Sequence, residues 1–134
     1  MNMVILARQR TPQLRKLLAL DAVFELIAGL ALIAGREQIA RWLGVETMAV
    51  LAAGGVFLLA AVAVAVVVRR PRGDVVRLVG WANIAGGGLG WLMTFLAWGE
   101  FEPAGRALLG AGSDVFIALG VLELLALRQQ PESR

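Results

Sequence analysis

The stretch LLALDAVFELIAGLALIAG, residues 17–35, decides the fold, because it is long and apolar enough to cross a bilayer. A transmembrane helix needs about 20 apolar residues to cross a hydrocarbon core of about 30 Å. The stretch nevertheless contains two acids one turn apart, Asp21 and Glu25. Three further runs approach or exceed this length, at 48–68, 78–99 and 107–127. The sequence therefore predicts an all-α membrane protein, with residues 1–134 forming one domain of four transmembrane helices.

The composition supports a membrane protein and argues against an enzyme. Hydrophobic residues make up 59% of the chain and charged residues 17%, whereas soluble domains contain about 45–50% and about 25%. Histidine and cysteine are absent, which excludes disulfides, thiolate chemistry and the usual zinc and haem ligands. No nucleophile–base pair or phosphate-binding loop is present. We expect no catalytic residue, metal or cofactor.

The positive charges predict the orientation in the membrane. Ten of the thirteen Lys and Arg residues would lie on one side of a four-span arrangement and three on the other. The ten are Arg8, Arg10, Arg15, Lys16, Arg69, Arg70, Arg72, Arg77, Arg128 and Arg134. The positive-inside rule places both termini in the cytoplasm. It also explains the net charge of +3 without a nucleic-acid partner.

Local signals predict where helices begin. Thr11 and Pro12 have the residue types of an N-cap and a first helical position, which predicts the start of the first helix there. In the first outside loop, REQIARWLGVET at 36–47, three apolar residues recur at helical spacing: Ile39, Trp42 and Leu43. This spacing favours a short helix in the membrane interface. An ordinary loop with an aromatic anchor is the alternative.

The third run contains a stripe of small and polar residues. Gly80, Asn83, Gly87 and Gly90 recur at spacings of three and four. Transmembrane helices pack closely on such stripes, because lipid provides no hydrophobic drive for helix association. The sequence predicts a helix-packing seam at Gly80, Gly87 and Gly90, and a central position for this helix in the bundle. Alternatively, the missing side chains leave room for a ligand or water.

The first run cannot face lipid with both of its acids. Asp21 and Glu25 share one helical face, and an acid near the centre of a transmembrane helix costs about 2.5–3.5 kcal/mol. That face must therefore contact protein or water. Glu25 and Asp114 lie deeper than the basic residues, so we expect Glu25 to be a buried, largely neutral acid that hydrogen-bonds across the bundle, for example to Asn83.

The remaining acids lie nearer the cytoplasmic boundary. We expect Asp21 and Glu123 to form ion pairs there with basic residues, Arg77 among them, whose long side chains reach toward water. Nine residues separate Asp114 from Glu123, which directs these two acids to opposite faces of the last helix. The candidate proton, cation or ligand site comprises Glu25, Asp21, Asn83 and Asp114.

Three segments carry a resemblance to a known group: LRKLLALDAVFELIAGLALIAG…IARWLGV, RLVGWANIAGGGLGWLM and LELLALRQQ. With them the chain resembles a group of uncharacterised small bacterial integral membrane proteins that are DoxX-like. The resemblance implies four helices with cytoplasmic termini in the bacterial inner membrane, and no catalytic residues. In size and in the place of Glu25 the chain is also similar to small multidrug resistance transporters. It departs from them in having no tyrosine, a second acid at Asp21 and a long first outside loop.

Three functional hypotheses follow, the third of which is a membrane enzyme or a quinone- or lipid-binding protein. The first is a non-enzymatic accessory or scaffolding subunit that packs with partners in the inner membrane. The second is a small proton-coupled transporter or channel that works as a homo-oligomer around Glu25. The expected partners are membrane lipids and either further copies of the chain or the subunits of a larger membrane complex.

Overall fold

A computed structural model describes residues 2–129, and their side chains from Pro12 onward. Over this range the chain forms five helices and no strand, which confirms an all-α fold. The helices are α1 (Asn2–Ala34), α2 (Arg36–Leu43), α3 (Thr47–Arg69), α4 (Gly73–Leu96) and α5 (Pro103–Arg128). Three helical segments are long and apolar enough to cross a membrane: Pro12–Ala34, Thr47–Arg69 and Pro103–Arg128. The chain therefore has the character of a helical membrane protein.

The start of α1 differs from the prediction. The helix begins at Asn2, and Pro12 lies inside it, so Thr11 is not an N-cap. The residues before Pro12 include Met, Leu, Ala, Arg and Gln, which all have high helix propensity. A local capping pattern at 11–12 was therefore outweighed by the propensity of the preceding segment.

The four long helices form two antiparallel hairpins, α1 with α3 and α4 with α5. Glycines allow close packing within each hairpin. A Cβ added at Gly29 of α1 would lie 2.9 Å from the carbonyl oxygen of Gly54 in α3. A Cβ added at Gly87 of α4 would lie 2.6 Å from the carbonyl oxygen of Ser113 in α5. Side chains larger than hydrogen would push either pair of helices apart.

The hairpins meet mainly through α1 and α5. The predicted central position of α4 is therefore wrong. Its glycine stripe faces α5 alone, whereas large apolar side chains elsewhere on α4, such as Leu78, Leu89 and Leu96, are exposed. A stripe of small residues allows close packing against one neighbouring helix, and the stripe of α4 is used for α5. α4 has no second stripe of this kind facing α3.

The short helix α2 connects α1 to α3 and contacts α5 at one end of the bundle, which we call the α2 end. Its presence confirms the helix predicted in this loop. It ends at Gly44, whose φ of 60° is a left-handed conformation that glycine adopts without strain. Ile39 is buried, and the carbonyl of Trp42 accepts a 2.9 Å hydrogen bond from the backbone N–H of Glu102, just before α5. We call the opposite end, where Arg69, Arg70 and Arg128 lie, the arginine end.

Candidate functional site

Buried polar side chains of three helices meet at the boundary between the hairpins. Asp21 of α1 and Glu123 of α5 are 0% exposed, and Asn83 of α4 is 5% exposed. Asn83 Nδ2 donates hydrogen bonds to Asp21 Oδ2 at 2.8 Å and to Glu123 Oε2 at 3.4 Å. We call these three residues the carboxyl cluster. One amide group thus bonds one acid of each hairpin, and its bond to Asp21 links the two hairpins.

The two acids of the cluster also contact each other. Their carboxyl groups lie within hydrogen-bonding reach. Two ionised carboxylates repel at this range, whereas a pair that shares one proton forms a favourable hydrogen bond. The arrangement therefore favours a proton held between Asp21 and Glu123.

Glu25 lies one turn from Asp21, toward the α2 end, and is 5% exposed. Asn83 donates to Asp21 and Glu123 and not to Glu25, so the suggested Glu25–Asn83 bond is wrong. One oxygen of each acid is buried without a hydrogen-bond partner: Asp21 Oδ1, Glu25 Oε2 and Glu123 Oε1. Three acids therefore present unsatisfied acceptors in one region, where a transferable proton would find partners.

No cation neutralises these acids within the described part of the chain. Its single ion pair joins Arg72 and Asp74, both exposed, at 3.2 Å. The predicted ion pair between Arg77 and Glu123 is therefore wrong, and so is the edge ion pair predicted for Asp21. Arg77 is exposed while Glu123 is fully buried, because α5 turns Glu123 toward α1 and α4 and away from water. The side chains described here contain no group of three acids placed to hold a metal ion.

Glycines explain why Asn83 reaches α5. A Cβ added at Gly120 would lie 3.1 Å from Asn83 Cβ and would collide with the carbonyl of Gly80. A Cβ added at Gly80 would lie 2.9 Å from Leu124 Cγ. The seam at Gly80 and Gly87 thus brings α4 against α5 at the level of the cluster, so its packing role also positions the site.

Apolar side chains close the cluster on both sides along the bundle. Toward the arginine end lies a buried core of Leu14, Leu18, Val64 and Val76, each no more than 4% exposed. Toward the α2 end, three phenylalanines from α1, α3 and α5 form an aromatic layer. Phe116 lies 5.1 Å from Phe24 and 5.4 Å from Phe57 between ring centroids. The cluster is therefore occluded from both ends of the bundle.

Asp114 does not belong to this site. Its side chain is exposed on the outer surface of α5 and accepts a 2.9 Å hydrogen bond from Trp91 Nε1 of α4. Grouping Asp114 with Glu25 on the basis of depth was therefore wrong, because depth says nothing about the face of a helix. Its separation from Glu123 follows the predicted half-turn.

The spacing of each cluster residue from a nearby basic residue in the sequence could have identified the cluster. Asp21 follows Lys16 by five residues, Asn83 follows Arg77 by six, and Glu123 precedes Arg128 by five. In antiparallel helices with the basic residues at one end, equal offsets give equal positions along the bundle. The three side chains are thus at one level, about 7–9 Å inward from the basic residues at 1.5 Å per residue.

Compared with known proteins, the chain matches no family model, no curated protein and no solved structure. The fold and the site define the class: a helical membrane protein with an occluded carboxyl cluster between two hairpins. The DoxX-like and multidrug-transporter resemblances stay predictions.

Proposed function

We propose that this protein is a small, non-enzymatic, four-span protein of the bacterial inner membrane that binds and releases a proton in proton-coupled transport. The carboxyl cluster carries the proposal, with Glu25 beside it. One observation supports it above all: three buried acids share a region that contains no cation among the described side chains. Ionisable groups inside a membrane are costly and mark proton relays and ion pathways.

A fourth span is part of this proposal. α4 has 24 residues, which at 1.5 Å per residue gives about 36 Å, enough to cross the hydrocarbon core. α4 is not among the three segments that hydropathy identifies as spans, because its glycines, Asn83 and tryptophans lower its hydropathy. Because α4 packs along α5, a spanning α5 brings α4 into the membrane beside it. The arginine end then faces the cytoplasm.

The chemistry requires only proton movement between oxygens. A proton on Glu123 or Asp21 is held by the other acid of the pair, while Asn83 donates to both and accommodates either location. Glu25 offers the next acceptor toward the α2 end. Loss of the shared proton leaves two negative charges in contact, which pushes α1 and α5 apart. Proton binding is thereby coupled to the separation of the hairpins.

Infrared spectroscopy of the purified full chain tests the proposal. The C=O stretch of protonated carboxyl groups is followed from pH 4 to pH 10 in lipid nanodiscs. We expect a band that persists at neutral pH and weakens in Asp21→Asn/Glu123→Gln, which removes the contribution of the pair and leaves that of Glu25. The matched control, Asp114→Asn, removes an acid outside the cluster and should keep the band. If the band of the wild type has already vanished when the pH is raised from 4 to 5, the proposal is overturned, since the acids would then be ionised at neutral pH.

A second function, an accessory subunit that packs with partners, is favoured by Asp114. Its exposed carboxyl lies near the middle of α5, eleven residues after Pro103. A charged group at this depth normally faces protein or a water-filled cavity. Sizing the complex in mild detergent tests this function. Assembly into a stoichiometric complex that Asp114→Leu disrupts would support it, and an unaltered monomer in both proteins would exclude it.

A further inference from the structure

A cleft opens at the arginine end between α3 and α4. It has a volume of about 540 Å³ and is lined by Val66, Val67, Arg69, Arg70, Arg72 and Val75. The two helices are consecutive in the chain but belong to different hairpins, and they hardly contact each other. The cleft is therefore a consequence of the two-hairpin architecture and lies apart from the carboxyl cluster.

The rim of the cleft is positively charged. Arg69 and Arg70 are exposed and form no ion pair within the described side chains. Arg72 pairs with Asp74, but both side chains are largely exposed, at 75% and 66%. Such exposed pairs are weak, because water screens them. The three guanidinium groups thus face one carboxylate, which leaves an excess of positive charge for a bound anion.

The walls of the cleft are apolar on the membrane side. Val66 and Val67 belong to the last turn of the apolar span Thr47–Arg69, and Val75 belongs to the first turn of α4. The apolar span ends at Arg69, so the cleft straddles the boundary between the hydrocarbon core and the headgroups. An occupant must then be apolar at one end and anionic at the other.

We propose that this cleft binds one anionic phospholipid from the adjacent leaflet. Its phosphate contacts Arg69 and Arg70, since guanidinium groups pair with phosphate through two parallel hydrogen bonds. Its acyl chain lies against the valines between α3 and α4. A basic pocket between transmembrane helices is the type of site that selects anionic headgroups. A zwitterionic lipid gains less there, because its own cation opposes the arginines.

Native mass spectrometry of the full chain tests this site. The protein is purified in a neutral detergent and exposed to phosphatidylglycerol and phosphatidylcholine with identical chains. We expect one phosphatidylglycerol to be retained in preference. Arg69→Gln/Arg70→Gln should reduce the preference about 30-fold, the factor that corresponds to about 1 kcal/mol per arginine. The control Arg36→Gln/Arg41→Gln removes the same charge at the α2 end and should retain the lipid.

Two further measurements separate the lipid from other sources of phosphate. Val67→Trp fills the cleft and leaves every arginine in place, so it should lower phosphatidylglycerol retention. Excess inorganic phosphate should not displace the lipid, because it lacks the acyl chain. Equal retention of the two lipids by the wild type would overturn the site. Equal losses in the two double arginine variants, or displacement by inorganic phosphate, would also overturn it.

Discussion

Asp21 and Glu123 come from the first and last helices of the bundle, yet their carboxyl groups meet within reach of one amide, that of Asn83. Neither acid is exposed. This contact joins the first hairpin to the second one at one position along the bundle. Its strength depends on a proton, because two charged carboxylates in contact would repel at low dielectric.

Stability should therefore depend on pH. In the proposed site the folded protein holds a proton between Asp21 and Glu123, whereas the unfolded chain would release it to water at neutral pH. The folded state then binds more protons, so the free energy of unfolding falls as pH rises, by about 1.4 kcal/mol per pH unit for one proton. Unfolding in detergent between pH 5 and pH 8 measures this slope. Glu123→Gln should flatten it, and a flat wild-type curve would contradict the shared proton.

Replacing Asn83 should weaken the joint between the hairpins. Asn83→Ala removes the donor to both acids, and an unsatisfied buried acceptor costs about 1–3 kcal/mol. Asn83→Asp should fold best in acid, because at higher pH it places a third carboxylate in the cluster. The midpoint of thermal unfolding at two pH values measures both effects. Thr94→Val is a matched control on the same helix, since Thr94 bonds only the carbonyl of Gly90 in its own helix.

The glycine seam should discriminate sharply between neighbouring positions. A Cβ at Gly87 meets Ser113 and Ile117 at 2.6 Å, whereas a Cβ at Gly86 has no neighbour within 4 Å. Gly87→Leu should separate α4 from α5 and lower the stability by several kcal/mol, as overpacked sites do. Gly86→Leu adds the same side chain and should be tolerated. Thermal unfolding of the two variants in detergent gives the comparison, and equal stabilities would contradict the packing of this hairpin.

The orientation is tested with reporters at the C-terminus. In a four-span arrangement ten of the thirteen Lys and Arg residues would lie on one side of the membrane, which predicts a cytoplasmic C-terminus. A fused fluorescent reporter that folds only in the cytoplasm should be bright, and a phosphatase that is active only in the periplasm should be silent. The reverse pattern would contradict the predicted orientation and place the C-terminus in the periplasm. Fusions within the turn 70–72 and after Phe101 should give opposite signals to each other, because α4 crosses the membrane between them in a four-span bundle.

Much of the fold follows from sequence patterns, because apolar length and helical periodicity are local properties. The helix at 36–43, for example, shows in the spacing of Ile39, Trp42 and Leu43. The stripe through Gly80 and Gly87 shows which face of α4 packs closely. Periodicity does not show which neighbour that face meets. The pairing of α4 with α5 alone therefore required the structure.

The site was harder to predict for the same reason. The sequence pattern predicts Asp21 and Glu123 at the membrane edge with basic partners, because basic residues are near them in sequence. Their faces, rather than their depths, decide their partners: both point inward, and Arg77 points outward. The rotation of each helix about its axis is set by close packing at glycines such as Gly80 and Gly120. No single helix encodes that relative rotation.

The backbone hydrogen bond between the Trp42 carbonyl and the Glu102 N–H fixes the two hairpins to each other at the α2 end. α2 fastens the first hairpin to the start of the second one at this end, while at the other end a short turn, 70–72, joins α3 to α4 across an open cleft. The two hairpins are thus held together at the α2 end by this hydrogen bond and at the arginine end by the buried core of Leu14, Leu18, Val64 and Val76. Separation of the hairpins at the arginine end would have to break that core before water could reach Asp21 and Glu123 from this side.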